Sequence, residues 1–263
     1  MKSIGILACA LAATAVAAPT SENPASDVAA KLQPGEYMLI KGDQQEVANE
    51  TTLHEYLKAQ GIALERPEVD QEWLNFKPDP EAMANLSAPA LTPRQSSCRT
   101  TTSIVVDKTE RFQDWDVQMS PVVLGAGKEG IRCSIESGWT TTNSVQVSAG
   151  LDWTFIKDKL GSSFGINYSR SWSSSGSTSY STVIHRGEAG TWTITPWTNR
   201  RYGRTFRGCP GSLVQTGTFM ADSHEDGSYE GHKWVSGYIS ACIKKAPGRG
   251  QALTRCHGRG TFK

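Results

Sequence analysis

The 263-residue sequence predicts an all-β protein, an elongated twisted antiparallel sheet or sandwich with long Ser/Thr-rich strands. Ahead of it stands a small acidic segment that reads as mostly irregular or helical. Three observations carry this. Apolar and polar residues alternate over long stretches after residue 95, the breaks between those stretches are rich in turn-forming residues, and no helical period stands out there.

The longest alternation is Val145-Gln-Val-Ser-Ala-Gly-Leu-Asp-Trp-Thr-Phe155, with every odd position apolar. Phe164, Ile166, Tyr168 and Trp172 continue it around Gly165, Asn167, Ser169 and Ser171. Tyr180, Thr182 and Ile184 form a third run, and Thr191 to Thr195 a fourth. A period of two places one face on a core or a membrane and the other in water. Turns are expected at residues 157–161, 173–177 and 186–190. Shorter strands are expected at 101–106, 118–123, 217–221 and 234–242, with a turn-rich connection from Asp222 to Gly227.

The start of the chain reads as a signal for export. Lys2 precedes an apolar run from Ile4 to Val16, and Ala15-Val16-Ala17 fits a cleavage site after Ala17. The chain then divides by charge. Residues 18–94 hold 6 Lys+Arg against 13 Asp+Glu, and residues 95–263 hold 20 against 13. In the front part, Leu53, Tyr56 and Leu57 share a face of a predicted helix over 51–60, capped by Thr51 or Thr52. Residues 77–95 read as a linker ending at Pro93-Arg94. The expected organisation is a signal peptide (1–17), an acidic segment (18–94) and a β-rich domain with a basic C-terminal tail (95–263). The acidic segment is either a propeptide released after Arg94, masking the basic domain until then, or an extension that is never removed.

Five cysteines follow the signal: Cys98, Cys133, Cys209, Cys242 and Cys256. In an oxidising compartment they predict two bridges and one spare thiol, with Cys209 and Cys242 favoured as partners across a hairpin. Asn49, Asn85 and Asn167 stand in glycosylation sequons.

Residues 140–197 resemble the aerolysin/ETX-MTX2 class of β-pore-forming toxins, through a Ser/Thr-rich pair of long strands around a shorter amphipathic hairpin. The back half also resembles the cysteine-bearing secreted effector-like proteins of filamentous fungi. That impression rests on Cys98, Trp115-Asp116, Ser120-Pro121, Gly190, Thr195-Pro196, Cys209-Pro-Gly-Ser212 and Trp234-Val-Ser-Gly237. The resemblance implies a toxin or a non-lytic relative. A barrel strand needs about 9–11 alternating residues, and its backbone must pair within a closed ring. The candidate lipid face is Val145, Val147, Ala149, Leu151, Trp153 and Phe155, with Phe164, Ile166 and Tyr168 on the return strand. Lys157, Asp158 and Lys159 at the tip oppose this reading, because they would have to cross the bilayer. The alternative is a half-buried strand pair.

No motif of the sequence marks a catalytic centre. No G-x-S-x-G elbow is present. Asp222, Ser223 and His224 are adjacent on an expected turn, a poor geometry for a triad. His224 and His232 with Asp222, Asp226 and Glu230 match no zinc spacing. Asp114 and Asp116 flank Trp115 as paired carboxylates do in sugar hydrolysis, but surface acids beside a core tryptophan explain them better. No enzyme activity and no cofactor are expected. Arg200, Arg201, Arg204 and Arg207, interleaved with Tyr202 and Phe206, are candidates for an anionic partner, as is the basic tail from Lys244 to Lys263. Eight tryptophans supply either core or sugar- and bilayer-facing surface.

The sequence thus reads first as a secreted, extracellular effector- or toxin-like protein acting on other cells by hairpin insertion. The alternative is a secreted non-catalytic binding module for a glycan, a cell wall or a host protein. A secreted hydrolase ranks last. The expected partners are a target-cell membrane or glycan and further copies of the chain on a membrane, rather than nucleic acid.

Overall fold

The computed structural model describes residues 32, 33, 35–87, 98, 100–174, 180–229 and 231–263. The expected signal segment with Ala17, the processing candidate Arg94, Glu230 and the turn residues 175–177 lie outside the described residues.

A hairpin of β1 (Glu36–Lys41) and β2 (Gln44–Asn49) opens the fold and leads into helix α1 (Glu50–Ala59). Short helices α2 (Gln71–Leu74) and α3 (Pro80–Ser87) follow. Next come the long β3 (Thr101–Gln113) and the short β4 (Val117–Gln118), β5 (Val123–Leu124), β6 (Ile131–Ser134), β7 (Thr140–Thr142) and β8 (Ser144–Val147). Helix α4 (Trp153–Phe164) precedes β9 (Ser171–Ser173) and β10 (Ser181–Ile184). The chain then runs through β11 (Glu188–Cys209), β12 (Ser212–His224), β13 (Asp226–Tyr229), β14 (His232–Val235) and β15 (Gly237–Lys245).

The 22-residue β11 is the spine. At about 3.3 Å per residue it runs roughly 70 Å. Its second half pairs antiparallel with β3 on one edge and β12 on the other, and its first half pairs with β4 and β5 on one edge and β15 on the other. The central sheet has the order β2-β1-β15-β11-β12-β8. The fold is therefore all-β in architecture, as the alternation predicts. Two register shifts, at Tyr202/Gly203 against β3 and at Thr205/Phe206 against β12, mark bulges along the spine.

The sheet is covered on both faces. The small pairs β6/β10 and β13/β14 contribute to a core in which Trp192, Ile194, Trp234, Tyr229, Ile184 and Ile40 are buried. Leu53 and Leu57 of α1 pack with Leu39, Trp197 and Tyr238 in a second core. Ile156 and Leu160 of α4 pack with Tyr168, Phe219 and Ala221 in a third.

The front of the chain is mostly helical or irregular, as expected, and its β1–β2 hairpin is built into this sheet. Met38, Leu39 and Ile40 of β1 pair with β15, and Ala63 exchanges backbone hydrogen bonds with Arg111 and Gln113 on the outer edge of β3. The α1 cap differs from expectation. Asn49, not Thr51 or Thr52, accepts the Thr52 N–H at 2.9 Å. Its reach to the third residue onward is the usual N-cap geometry.

The cysteines pair as Cys98–Cys209 and Cys242–Cys256, leaving Cys133 as a buried thiol. The expected Cys209–Cys242 bridge is excluded by the spine. Cys242 lies opposite Thr191, and Cys209 ends the same strand 18 positions later. That separation is roughly 60 Å at 3.3 Å per residue, against about 5.5–6 Å between bridged Cα atoms.

Candidate functional site

The segment expected to be an amphipathic hairpin folds otherwise. Strand β8 ends at Val147, Gly150 turns the chain at φ +87°, and helix α4 follows. Asp152 starts that helix by accepting the N–H of Thr154 at 2.8 Å and of Phe155 at 3.4 Å. Gly165 ends it in the left-handed conformation, donating its N–H to the Gly161 carbonyl at 2.8 Å. Ile156 and Leu160, four apart, form the buried stripe.

The candidate insertion residues are dispersed accordingly. Val145 and Val147 pack partly buried beside β12, and Ile166 and the buried Tyr168 close the same core. Ala149 is exposed in the turn. Leu151 stands so close to Gly217 that a Cβ there would meet its Cδ1 at 2.4 Å. Phe155 is half-buried beneath the helix. Trp153 and Phe164 remain in water, 51% and 44% exposed, at opposite ends of α4.

Basic groups sit over these rings. The Lys157 ammonium lies 3.9 Å from the Trp153 centroid and that of Lys159 5.6 Å from Phe155. The Arg201 guanidinium lies 5.0 Å from Phe164. Each is within cation–π range. Trp153 and Phe164, eleven residues apart, fall on one side of α4, and Phe155 projects from another. No helix among the described residues is long and apolar enough to cross a membrane.

The four arginines of β11 do not form a common patch. Arg200 is fully buried, with Nε and Nη2 each 2.8 Å from an oxygen of Asp222. Burial alone would lower its pKa, but the Asp222 contacts more than reverse this. Arg201 turns inward to the Ser223 hydroxyl at 3.1 Å. Arg204 chelates Asp107, and Arg207 alone of the four is exposed. Successive strand residues face opposite sides, so neighbours in sequence do not share a surface. The basic tail is likewise folded back. Leu253 and Phe262 are buried, Arg255 bonds the Asp116 carbonyl and carboxylate, and Lys263 donates its N–H to Gln118.

A second site joins residues that lie far apart in sequence. Asp114, Trp115, Asp116, Asp222 and His224 line one cleft of about 370 Å³ together with Arg66, Arg255, Thr140, Thr142 and Ser144. Arg66 donates to Asp114 at 2.7 Å and approaches Asp222 at 4.0 Å. The other Asp114 oxygen accepts the Thr198 hydroxyl at 3.2 Å. Asp116 accepts the backbone N–H groups of Cys256 and His257 at 2.9 and 3.0 Å. Burial raises its carboxyl pKa, and these N–H groups and Arg255 oppose the rise.

His224 is held by Asn143. The Asn143 Oδ1 accepts the His224 backbone N–H at 2.7 Å and lies 3.1 Å from Nδ1. An amide oxygen only accepts, so Nδ1 carries the proton in that contact and Nε2 presents its lone pair. Nε2 is buried and has no hydrogen-bond partner in the protein. Burial lowers the His224 pKa from 6.5, assisted by Arg66 and opposed by Asp114 and Asp222. His224 is the last residue of β12, and β13 starts at Asp226, so the expected 222–227 turn is largely strand. Asn143, Arg66 and Arg255 are site residues with no motif around them. Their roles depend on contacts 48 to 139 residues away. Among the described residues no group of three His, Cys, Asp or Glu side chains is placed to hold a metal. The exposed Asn49 and Asn167 use their side-chain oxygens in local turns, and the Asn85 side chain lies outside the described residues.

No family model and no curated protein matches the chain. Among solved structures it is similar to a Bacteroides vulgatus protein provisionally described as a pore-forming toxin. Identity is 10%, the TM-score is 0.23, and the match covers 60% of this chain and 62% of that one, less than two thirds of its length.

Proposed function

We propose that this is an exported, non-catalytic effector- or toxin-like β-protein that works at the surface of other cells. The observation that carries the reading is the face of α4. Trp153 and Phe164 stand exposed beneath Lys157 and Arg201. The amphipathic indole of Trp153 favours the membrane–water boundary, and the Lys157 ammonium over it favours anionic headgroups. Two disulfides suit an oxidising destination. The non-catalytic part is supported by the carboxylates of the cleft. Asp114, Asp116 and Asp222 each have both oxygens engaged by protein donors.

Vesicle co-sedimentation tests the reading. The protein is expected to pellet with phosphatidylserine vesicles and not with phosphatidylcholine alone, and to be released as salt rises. The double variant Trp153→Ala, Phe164→Ala should stay in the supernatant with its fold intact by circular dichroism. Equal pelleting of the variant would sink the proposal. Dye leakage in the same vesicles separates lytic from non-lytic contact.

A further inference from the structure

Beyond α4, the cleft at His224 is a built site whose chemistry selects a ligand independently of any membrane. Its charges cancel. Arg66 stands against Asp114 and Asp222, Arg200 pairs with Asp222 from outside the lining, and Arg255 pairs with Asp116. An ion of either sign gains little there, because each charge already has its opposite. What remains unsatisfied is neutral. Nε2 of His224 is an acceptor without a donor. An oxyanion has no proton to give it, and a hydroxyl does.

Complementary groups line the same cleft. The Nη2 of Arg66 lies 4.0 Å from Asp222, too far for a hydrogen bond, so it keeps protons to donate. Thr140 and Thr142 are exposed in the lining, and Ser144 follows. Trp115 is 37% exposed in the same lining and offers apolar surface. A cleft of about 370 Å³ has the size of a small-ligand pocket, and its polar lining beside one aromatic suits a polyhydroxyl ligand.

We infer that this cleft binds a neutral sugar residue, with one ligand hydroxyl donating to His224 Nε2 and others accepting from Arg66 and the Thr142 and Ser144 hydroxyls. Asn143 is the positioning residue. It fixes the tautomer that leaves Nε2 bare.

The probes are methyl glycosides of glucose, galactose, mannose and N-acetylglucosamine, with methyl glucuronide and sialic acid as charged controls. They are titrated into the full folded protein while the histidine ring nitrogens are followed by NMR. At least one neutral glycoside should shift the His224 Nε2 resonance, and by calorimetric titration His224→Phe should weaken its binding about tenfold or more. Ser144→Ala, a change at the rim that leaves the core alone, should weaken it by a smaller factor. The inference is overturned if no neutral glycoside moves the resonance. It is overturned also if the charged controls bind better, or if both variants bind as tightly as the parent.

Discussion

Arg200 on β11 and Asp222 on β12 face each other across the ladder, and the guanidinium closes on both carboxylate oxygens at 2.8 Å. The arginine side chain is wholly shielded and the aspartate 7% exposed. Arg200 also donates to the Pro67 carbonyl at 3.2 Å, tying the acidic front to the spine. Removing one partner of a buried pair strands the other charge. Arg200→Ala should therefore cost about 3–5 kcal/mol in urea unfolding. Arg200→Met combined with Asp222→Leu should cost clearly less than the single change. A double variant as unstable as the single one contradicts this account.

Gly203 is opposite Phe219, and a Cβ at 203 would lie 2.3 Å from the Phe219 ring and 2.4 Å from the Val105 carbonyl oxygen. Gly203→Ala should destabilise by about 1–3 kcal/mol. Adding Phe219→Leu should restore only part of this, since the backbone oxygen cannot move aside. Thermal unfolding of the two variants checks the order.

The two disulfides close loops of very different length, 111 residues for Cys98–Cys209 and 14 for Cys242–Cys256. Loop-closure entropy ranks them at about 4.7 and about 3 kcal/mol. Paired Cys→Ser replacements compared by denaturant midpoint should show the larger loss for the longer loop. Burial pushes the Cys133 thiol pKa up, so thiol reagents should leave it unmodified until the protein unfolds.

A proteolytic cut at Arg94 should not by itself free the acidic front. Leu39, Leu53 and Leu57 lie in a shared core with Trp197 and Tyr238, and Trp73 donates its ring N–H to the Phe219 carbonyl at 3.2 Å. Cleaved protein should give two bands on a denaturing gel and one peak on native size exclusion. Two native peaks would mean that the front is a removable mask.

His224 sets an acid-side limit on stability. Its folded pKa is below 6.5, so the unfolded chain takes up its proton first as pH falls. Its contribution is present above 6.5 and is lost as pH drops through the lower folded value. Asp114 and Asp222 soften the loss, and Arg66 sharpens it. His224→Gln should flatten the decline in unfolding free energy between about pH 7 and pH 5. An unchanged pH profile counts against a neutral buried ring.

Much of the sheet was legible because alternation and burial agree there. Thr191 to Thr195 lies within β11, Thr182 to Ile184 within β10, and 217–221 within β12. Residues 145–172 misled because two periods overlap. Val145, Val147, Leu151, Trp153 and Phe155 alternate, while Ile156 and Leu160 mark a helical stripe between Asp152 and Gly165. The caps decide the matter, and the alternation past Val147 is incidental. The cleft was visible only in fragments. Asp114-Trp115-Asp116 and Asp222-Ser223-His224 each stand out, but nothing local says that β3 and β12 flank the same strand and bring them together.

A single strand that runs from Glu188 to Cys209, bonded along both edges, is also a mechanical element. A pull along its length loads many parallel hydrogen bonds in shear at once, and none can peel off singly. The Cys98–Cys209 bridge clamps the end of this strut, where fraying would otherwise start. The protein should therefore resist stretching between its ends far better than prising of the β1–β2 hairpin from β15, where only three residue pairs hold the seam.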